Sequence, residues 1–180
     1  MKIPENIQVN GKNFSIKKLL GKGKGGYSYL AEKDGKNYTL KQIHHEPCDY
    51  FQFGNKIEAE SRDYQRLLEA GINIPKLYEI DFEKEIVLKE FIDGEDIVFL
   101  VKNNRMKDEY LSQAREMAKK INEKGLNLDY YPTNFIVQDK KLFYIDYECS
   151  EYSDEWNFEN WGKKYWSRTE DFENAFCRNE

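Results

Sequence analysis

Apolar and polar residues alternate in short runs through the first ninety positions, and turn dipeptides separate the runs. Ile7-Gln8-Val9 and Phe14-Ser15-Ile16 flank Asn10-Gly11, a pair that tolerates positive φ and predicts a tight hairpin. Asp34-Gly35 gives the same signal between residues 27–31 and 38–43. From about Asn55 to Ala70 the period changes. Ile57, Tyr64, Leu67 and Leu68 can share one helical face, and Gly71 reads as the stop. Residues 77–82 and 85–91 predict two more strands joined by a short turn.

A different texture begins at Gly94. Leu111, Ala114, Met117, Ala118 and Ile121 recur at helical spacing between Met106 and Lys124, and Gly125 closes the helix. Short apolar segments follow at 135–137 and 142–145, with a turn at 138–141. The order is strand-rich, then helix-rich. It predicts an α+β, two-lobed architecture, with residues 1–93 as the first lobe, 94–180 as a reduced second lobe, and a linker near Asp93-Gly94.

Composition narrows the function classes. Hydrophobic residues make up 39% and aromatics 15%, enough for a core. The net charge is −5 and the pI near 5.3, which argues against a broad basic face for nucleic acid. No signal peptide is evident, and the longest apolar run, Ile97 to Val101, is too short to span a bilayer. Cys48, Cys149 and Cys177 are far apart and odd in number, so a reduced, cytoplasmic protein is expected. The two histidines, His44 and His45, are adjacent and read as a plain loop rather than a metal site.

The segment Leu20-Gly21-Lys22-Gly23-Lys24-Gly25-Gly26-Tyr27 lies between two predicted strands. Glycines let backbone N–H groups approach phosphate oxygens closely. A strand, not a helix, follows them, which disfavours a dinucleotide fold, and no Gly-Lys-Ser/Thr follows as in a Walker loop. Taken alone, the segment reads equally well as a mobile hairpin loop.

Other residues extend the pattern. Lys41 can point under the glycines from its strand. Glu58 and Glu60 are its candidate partners, and Glu60 shares the apolar face of Ile57, Tyr64 and Leu68, so it is the better choice. Asp129 and Asn134 fit D-x-x-x-x-N, in which the aspartate orients an acceptor hydroxyl and the asparagine binds metal. Asp146 leaves an apolar strand, where a carboxylate needs a cation, and magnesium on ATP phosphates would supply one. Each aspartate alone could be a turn former. Their order and spacing together favour the site.

From Leu20 through Glu148 the chain resembles the protein-kinase-like superfamily, and within it the small atypical kinases: the RIO kinases and the kinase of the KEOPS tRNA-modification complex. Leu20–Ala31 is similar to the glycine-loop consensus, and Val87–Gly94 looks like the hinge that meets adenine. The resemblance implies ATP binding by Leu20, Gly21, Gly23, Gly25, Gly26, Lys41, Glu90 and Phe91. It implies Asp129, Lys41 and Glu60 as the catalytic set, and Asn134 and Asp146 as ligands of Mg2+. Ile145-Asp146-Tyr147-Glu148 looks more like the aminoglycoside and choline phosphotransferases than like Asp-Phe-Gly. Asn127 replaces the family histidine, Tyr131 replaces the lysine of Ser/Thr kinases, and Lys89 sits near the gatekeeper position.

The expected reaction is transfer of the γ-phosphoryl group of ATP to a hydroxyl, first of a protein Ser/Thr. A small-molecule hydroxyl and a nucleotide-binding pseudokinase are the alternatives. The last thirty residues hold Trp156, Trp161 and Trp166, read as a cap on the second lobe or as a docking surface for a partner or acceptor.

Overall fold

The computed structural model describes residues 2–47 and 54–178, and Cys48 lies outside the described residues. The chain forms two compact units, Met1–Arg62 with Pro75–Phe91, and Asp63–Ile74 with Ile92–Glu180. The single cut near Asp93-Gly94 placed residues 63–74 with the first lobe. They pack in the second because Asn73 Nδ2 donates to the Leu142 carbonyl (2.8 Å) and the Asn73 carbonyl accepts from Tyr144 N–H (2.9 Å).

The first unit holds strands β1 (Asn6–Val9), β2 (Lys12–Lys22), β3 (Gly26–Lys33) and β4 (Lys36–Ile43), the start of helix α1 (Lys56–Glu69), then β5 (Leu77–Asp81) and β6 (Ile86–Glu90). The strands make one sheet, ordered β1-β2-β3-β4-β6-β5. All its pairings are antiparallel. One face buries Val9, Phe14, Tyr29, Ala31, Leu40, Ile86 and Leu88 as a core. Period-two alternation then turns Ser28, Lys41 and Val87, which are register partners, to the other face.

The two expected hairpins form as Asn10 and Gly11 (φ 47° and 79°) and Asp34 and Gly35 (φ 53° and 75°). Asp81 ties two turns together. It accepts from Asn10 N–H at 2.8 Å and from Lys84 N–H at 3.0 Å. These bonds hold its carboxyl below the ordinary value of 3.8. The ionised form is therefore favoured in the folded chain, and its stabilisation is present above the ordinary value and lost as pH falls through the lowered one. Acid titration of Asp81→Asn should show lower stability than the parent at neutral pH and a smaller loss below pH 3.8.

The second unit contains the rest of α1, then β7 (Glu95–Asp96), α2 (Ile97–Lys102), α3 (Asp108–Asn122), β8 (Leu126–Leu128), β9 (Phe135–Gln138), β10 (Lys141–Tyr144), β11 (Cys149–Glu151) and α4 (Glu170–Phe176). Its strands form two small sheets, β10-β9-β7 and β11-β8. The apolar run Ile97–Val101, left unassigned by periodicity, is a helix. Asp96 caps it by accepting from Phe99 N–H (2.7 Å), and Ile97, Leu100 and Val101 are buried. Gly94 is required where it stands, since a Cβ there would lie 2.1 Å from the Val137 carbonyl oxygen. Among the described residues no helix is long and apolar enough to cross a membrane.

The hairpin β9–β10 turns through Asp139 and Lys140, both at positive φ (49° and 64°). The hairpins at Asn10-Gly11 and Asp34-Gly35 have glycine at the second position. Here Gln113 of α3 compensates: its Nε2 donates to the Lys140 carbonyl (2.9 Å) and its Oε1 accepts from Leu142 N–H (2.8 Å). Lys140→Gly removes the left-handed strain and should stabilise the chain by about 1 kcal/mol, read as a higher denaturation midpoint in urea.

The C-terminal segment supplies core. Phe158, Trp166 and Phe172 are fully buried. Trp166 Nε1 donates to the Tyr130 carbonyl (2.9 Å), and its ring meets Phe135 at 4.9 Å and Phe158 at 5.4 Å.

Candidate functional site

In the first unit, Lys41 of β4 pairs with Glu60 of α1. Their side chains are 13% and 12% exposed, so the pair is largely shielded from water. Glu58, the other candidate, is exposed; so is Leu68 (46%), which the helical period places on the apolar face, and Leu67 is buried in its stead. Among the described residues, Glu60 Oε2 is buried without a hydrogen-bond partner. Such an atom costs about 1–3 kcal/mol until a donor reaches it.

The glycine segment runs from the end of β2 into β3, as a strand–turn–strand. A Cβ at Gly21 or Gly25 would meet nothing within 4 Å, and one at Gly23 only the Gly26 carbonyl at 3.9 Å. The backbone there is open to close approach, which fits phosphate oxygens. Gly26 has a different reason. A Cβ on it would lie 2.7 Å from the Gln42 carbonyl oxygen and 3.3 Å from Lys41 Cγ, so glycine makes room for β4 and the lysine stem. Leu20 is 40% exposed beside this segment. At the strand end, Glu90 N–H donates to the Lys76 carbonyl (2.8 Å), and Glu90 Oε2 accepts from Lys76 N–H (3.0 Å). Any backbone contact of Glu90 with an adenine edge therefore has to come from its carbonyl. Phe91 follows it, half-buried.

Two residues that periodicity could not single out hold the glycine segment. Lys56, buried at the start of α1, donates Nζ to the carbonyls of His44 (2.8 Å) and Lys24 (3.4 Å). His44 Nε2 lies 3.1 Å from the Gly23 carbonyl, and its Nδ1 accepts from Glu46 N–H (3.3 Å). Beside them, the Lys22 ammonium and the Tyr27 hydroxyl both bond Glu46 and hold its carboxyl below the usual range.

In the second unit, Asp129, Asn134 and Asp146 come from one loop and one hairpin. Asp129 Oδ1 accepts from Tyr131 N–H (3.1 Å), and Asn134 Nδ2 donates to the Asp129 carbonyl (3.3 Å). That bond commits the amide nitrogen, so the oxygen is the atom a metal would meet. Ile145 N–H donates to the Asn134 carbonyl (2.9 Å), which joins the backbone before Asp146 to that of Asn134. An amide oxygen and a carboxylate are hard donors that suit Mg2+.

Tyr144 organises this group. Its buried hydroxyl accepts from Asp129 N–H (3.3 Å) and donates to the Glu148 carbonyl (2.8 Å). Burial first, then the charges of Asp146, Asp129 and Glu148, hold the phenol well above its ordinary range, so it keeps the proton it donates. Tyr147, after Asp146, packs on Tyr64 of α1 with ring centroids 4.8 Å apart. Asn127 is buried and donates to the Ser153 carbonyl (2.9 Å), so it fastens the C-terminal segment. Cys149 is buried and its thiol is pushed up to about 11 by burial, which removes it as a nucleophile.

A family model described as the RIO domain matches residues 25–161. The chain belongs to the RIO-domain family. With that family comes the protein-kinase-like superfamily as its wider group. The chain is also similar to the KEOPS complex subunit Bud32 of Pyrococcus abyssi, 31% identical over 99 residues. That match covers 53% of this chain and 44% of the Pyrococcus protein, so the RIO-domain chain spans less than half of that relative. Among solved structures, the kinase domain of Mycobacterium tuberculosis PknI matches with a TM-score of 0.52 at 16% identity, over 82% of this chain and 63% of that one. This likeness shows the fold.

Tyr144→Phe keeps the ring and deletes both hydroxyl bonds. It should lower stability by about 1–3 kcal/mol, with amide exchange accelerated most at Asp129 N–H.

Proposed function

We propose that this RIO-domain chain transfers the γ-phosphoryl group of ATP to the hydroxyl of a protein serine or threonine. The observation that carries the reading is the shielded Lys41–Glu60 pair. A structural sheet has no need of such a pair, because burying two charges costs more than their attraction returns unless the geometry serves something else. A lysine fixed by a glutamate is what phosphate oxygens require for orientation. Six further residues support it: Gly21, Gly23 and Gly25, where the backbone is open, and the joined set Asp129, Asn134 and Asp146.

Each residue then has a role. The backbone at 21–25 covers the phosphates, and Lys41, steadied by Glu60, orients them. Asn134 and Asp146 would hold Mg2+, whose charge neutralises phosphate oxygens. Asp129 orients the acceptor hydroxyl and receives its proton. The rate enhancement is positional and electrostatic, not covalent. The similarity to a subunit of a complex also supports a partner protein for this chain.

The test uses labelled ATP, magnesium and a generic acceptor protein. Label transfer should fall by at least about a thousandfold in Asp129→Ala and Asp146→Ala. Asp129→Ala should keep nucleotide affinity within about threefold, since it meets the acceptor rather than the nucleotide. Transfer that persists in both variants would refute the assignment, and nucleotide binding without transfer in the parent would identify a scaffold.

A further inference from the structure

The aromatic residues of the second unit sort into two sets. Tyr130, Phe135, Phe158, Trp166 and Phe172 are buried and form core. Tyr131, Trp156, Trp161, Tyr165 and Phe176 form a second, connected set that stays in contact with water. Tyr131 is its hub, with ring centroids 6.4 Å from Trp161, 5.4 Å from Tyr165 and 5.3 Å from Phe176. Trp161 extends the set to Trp156 at 5.5 Å, and Trp156 is 50% exposed. Core packing explains the first set and not the second.

The place of the hub matters. Tyr131 lies two residues from Asp129, and its N–H donates to the Asp129 carboxylate (3.1 Å). The rings are thus fixed relative to the group assigned to the acceptor hydroxyl. Charge around them is one-sided. Residues 151–178 carry seven Asp or Glu against four Lys or Arg. Three of those four cations are already paired: Lys163 with Glu159, Lys164 with Asp171, and Arg168 with Glu173. Asp154 and Glu155 immediately precede the exposed Trp156. The chain also shows what these rings accept. Lys164 Nζ lies 5.1 Å from the centre of the Tyr165 ring and 3.7 Å from Asp171, an ammonium held between an aromatic face and a carboxylate.

We propose that Tyr131, Trp156, Trp161 and Tyr165 form an acceptor-docking surface that receives an arginine or lysine side chain flanking the target hydroxyl of a protein substrate. The proposal rests on the reading of the chain as a protein-directed kinase and adds the substrate class. The flanking cation stacks on the rings and meets the acidic rim, while the hydroxyl reaches Asp129. Arginine suits the surface best, because its planar guanidinium stacks on aromatic faces.

The test compares two labelled serine peptides of the same length, one with arginines beside the serine and one with glutamates, by fluorescence anisotropy and by phosphate transfer. The arginine peptide should bind about tenfold more tightly than the glutamate peptide. Trp161→Ala should remove most of that difference while nucleotide affinity stays at the parental value. Trp156→Ala, at a half-exposed position that does not threaten folding, should remove part of it. Equal binding of the two peptides, no binding of either, or parental discrimination in both variants would overturn the proposal. The two readings fail separately. Ring-dependent binding of the arginine peptide without transfer would sink the kinase reading and leave the surface standing. Transfer to both peptides alike would do the reverse.

Discussion

One buried hydroxyl sets the geometry of the second unit. Tyr144 joins the loop that carries Asp129 to the segment that follows Asp146, and it does so as acceptor on one side and donor on the other. Its own position comes from the hairpin of β9 and β10. Phe135 packs against it with tilted rings at 5.0 Å, Trp166 backs Phe135 at 4.9 Å, and Gln113 grips the turn at the far end. A strained turn at Asp139 and Lys140 is tolerated because that grip over-determines it. The order of Asp129, Asn134 and Asp146 is thus a property of the core rather than of three local loops.

The first unit works by a different economy. Its sheet fixes Lys41 by alternation, and α1 brings Glu60 to it. The pair leaves one carboxylate oxygen buried and unsatisfied, so it is not the cheapest packing available to these positions. Gly26 contributes by absence, since any side chain there would press on β4 and on the stem of the lysine. Lys56 and His44 secure the carbonyls of the neighbouring segment. The open backbone at 21–25 is therefore a loop with fixed ends.

Features with a local cause were legible in the sequence. Asn10-Gly11 and Asp34-Gly35 dictate positive φ, and Ile57 and Tyr64 mark the face of α1 from which Glu60 meets Lys41, although Leu68, read on the same stripe, is exposed and Leu67 is the buried neighbour. Features caused by distant partners were not. Helix α2 is six residues long, too short for a period to emerge, and only its Asp96 cap could have announced it. Residues 63–74 group with the second unit, where Asn73 bonds Leu142 through its side-chain amide and Tyr144 through its carbonyl, which no hydropathy pattern encodes. The role of Tyr144 depends on a hydroxyl between two backbone groups and leaves no trace in spacing. The sorting of the C-terminal aromatics into buried and exposed rings likewise becomes visible only once Trp166 is seen on Tyr130 and Phe135.

That last sorting separates two kinds of boundary. The residues that suggest chemistry end at Glu148, and the match to the RIO domain ends at residue 161. Yet Trp166 and Phe172, beyond both points, are fully buried in the second unit. A fragment cut at residue 161, where the family match stops, would expose the faces of Phe135 and Phe158 that Trp166 now covers. The smallest piece of this chain able to hold its shape is longer than the smallest piece that carries its recognisable signature.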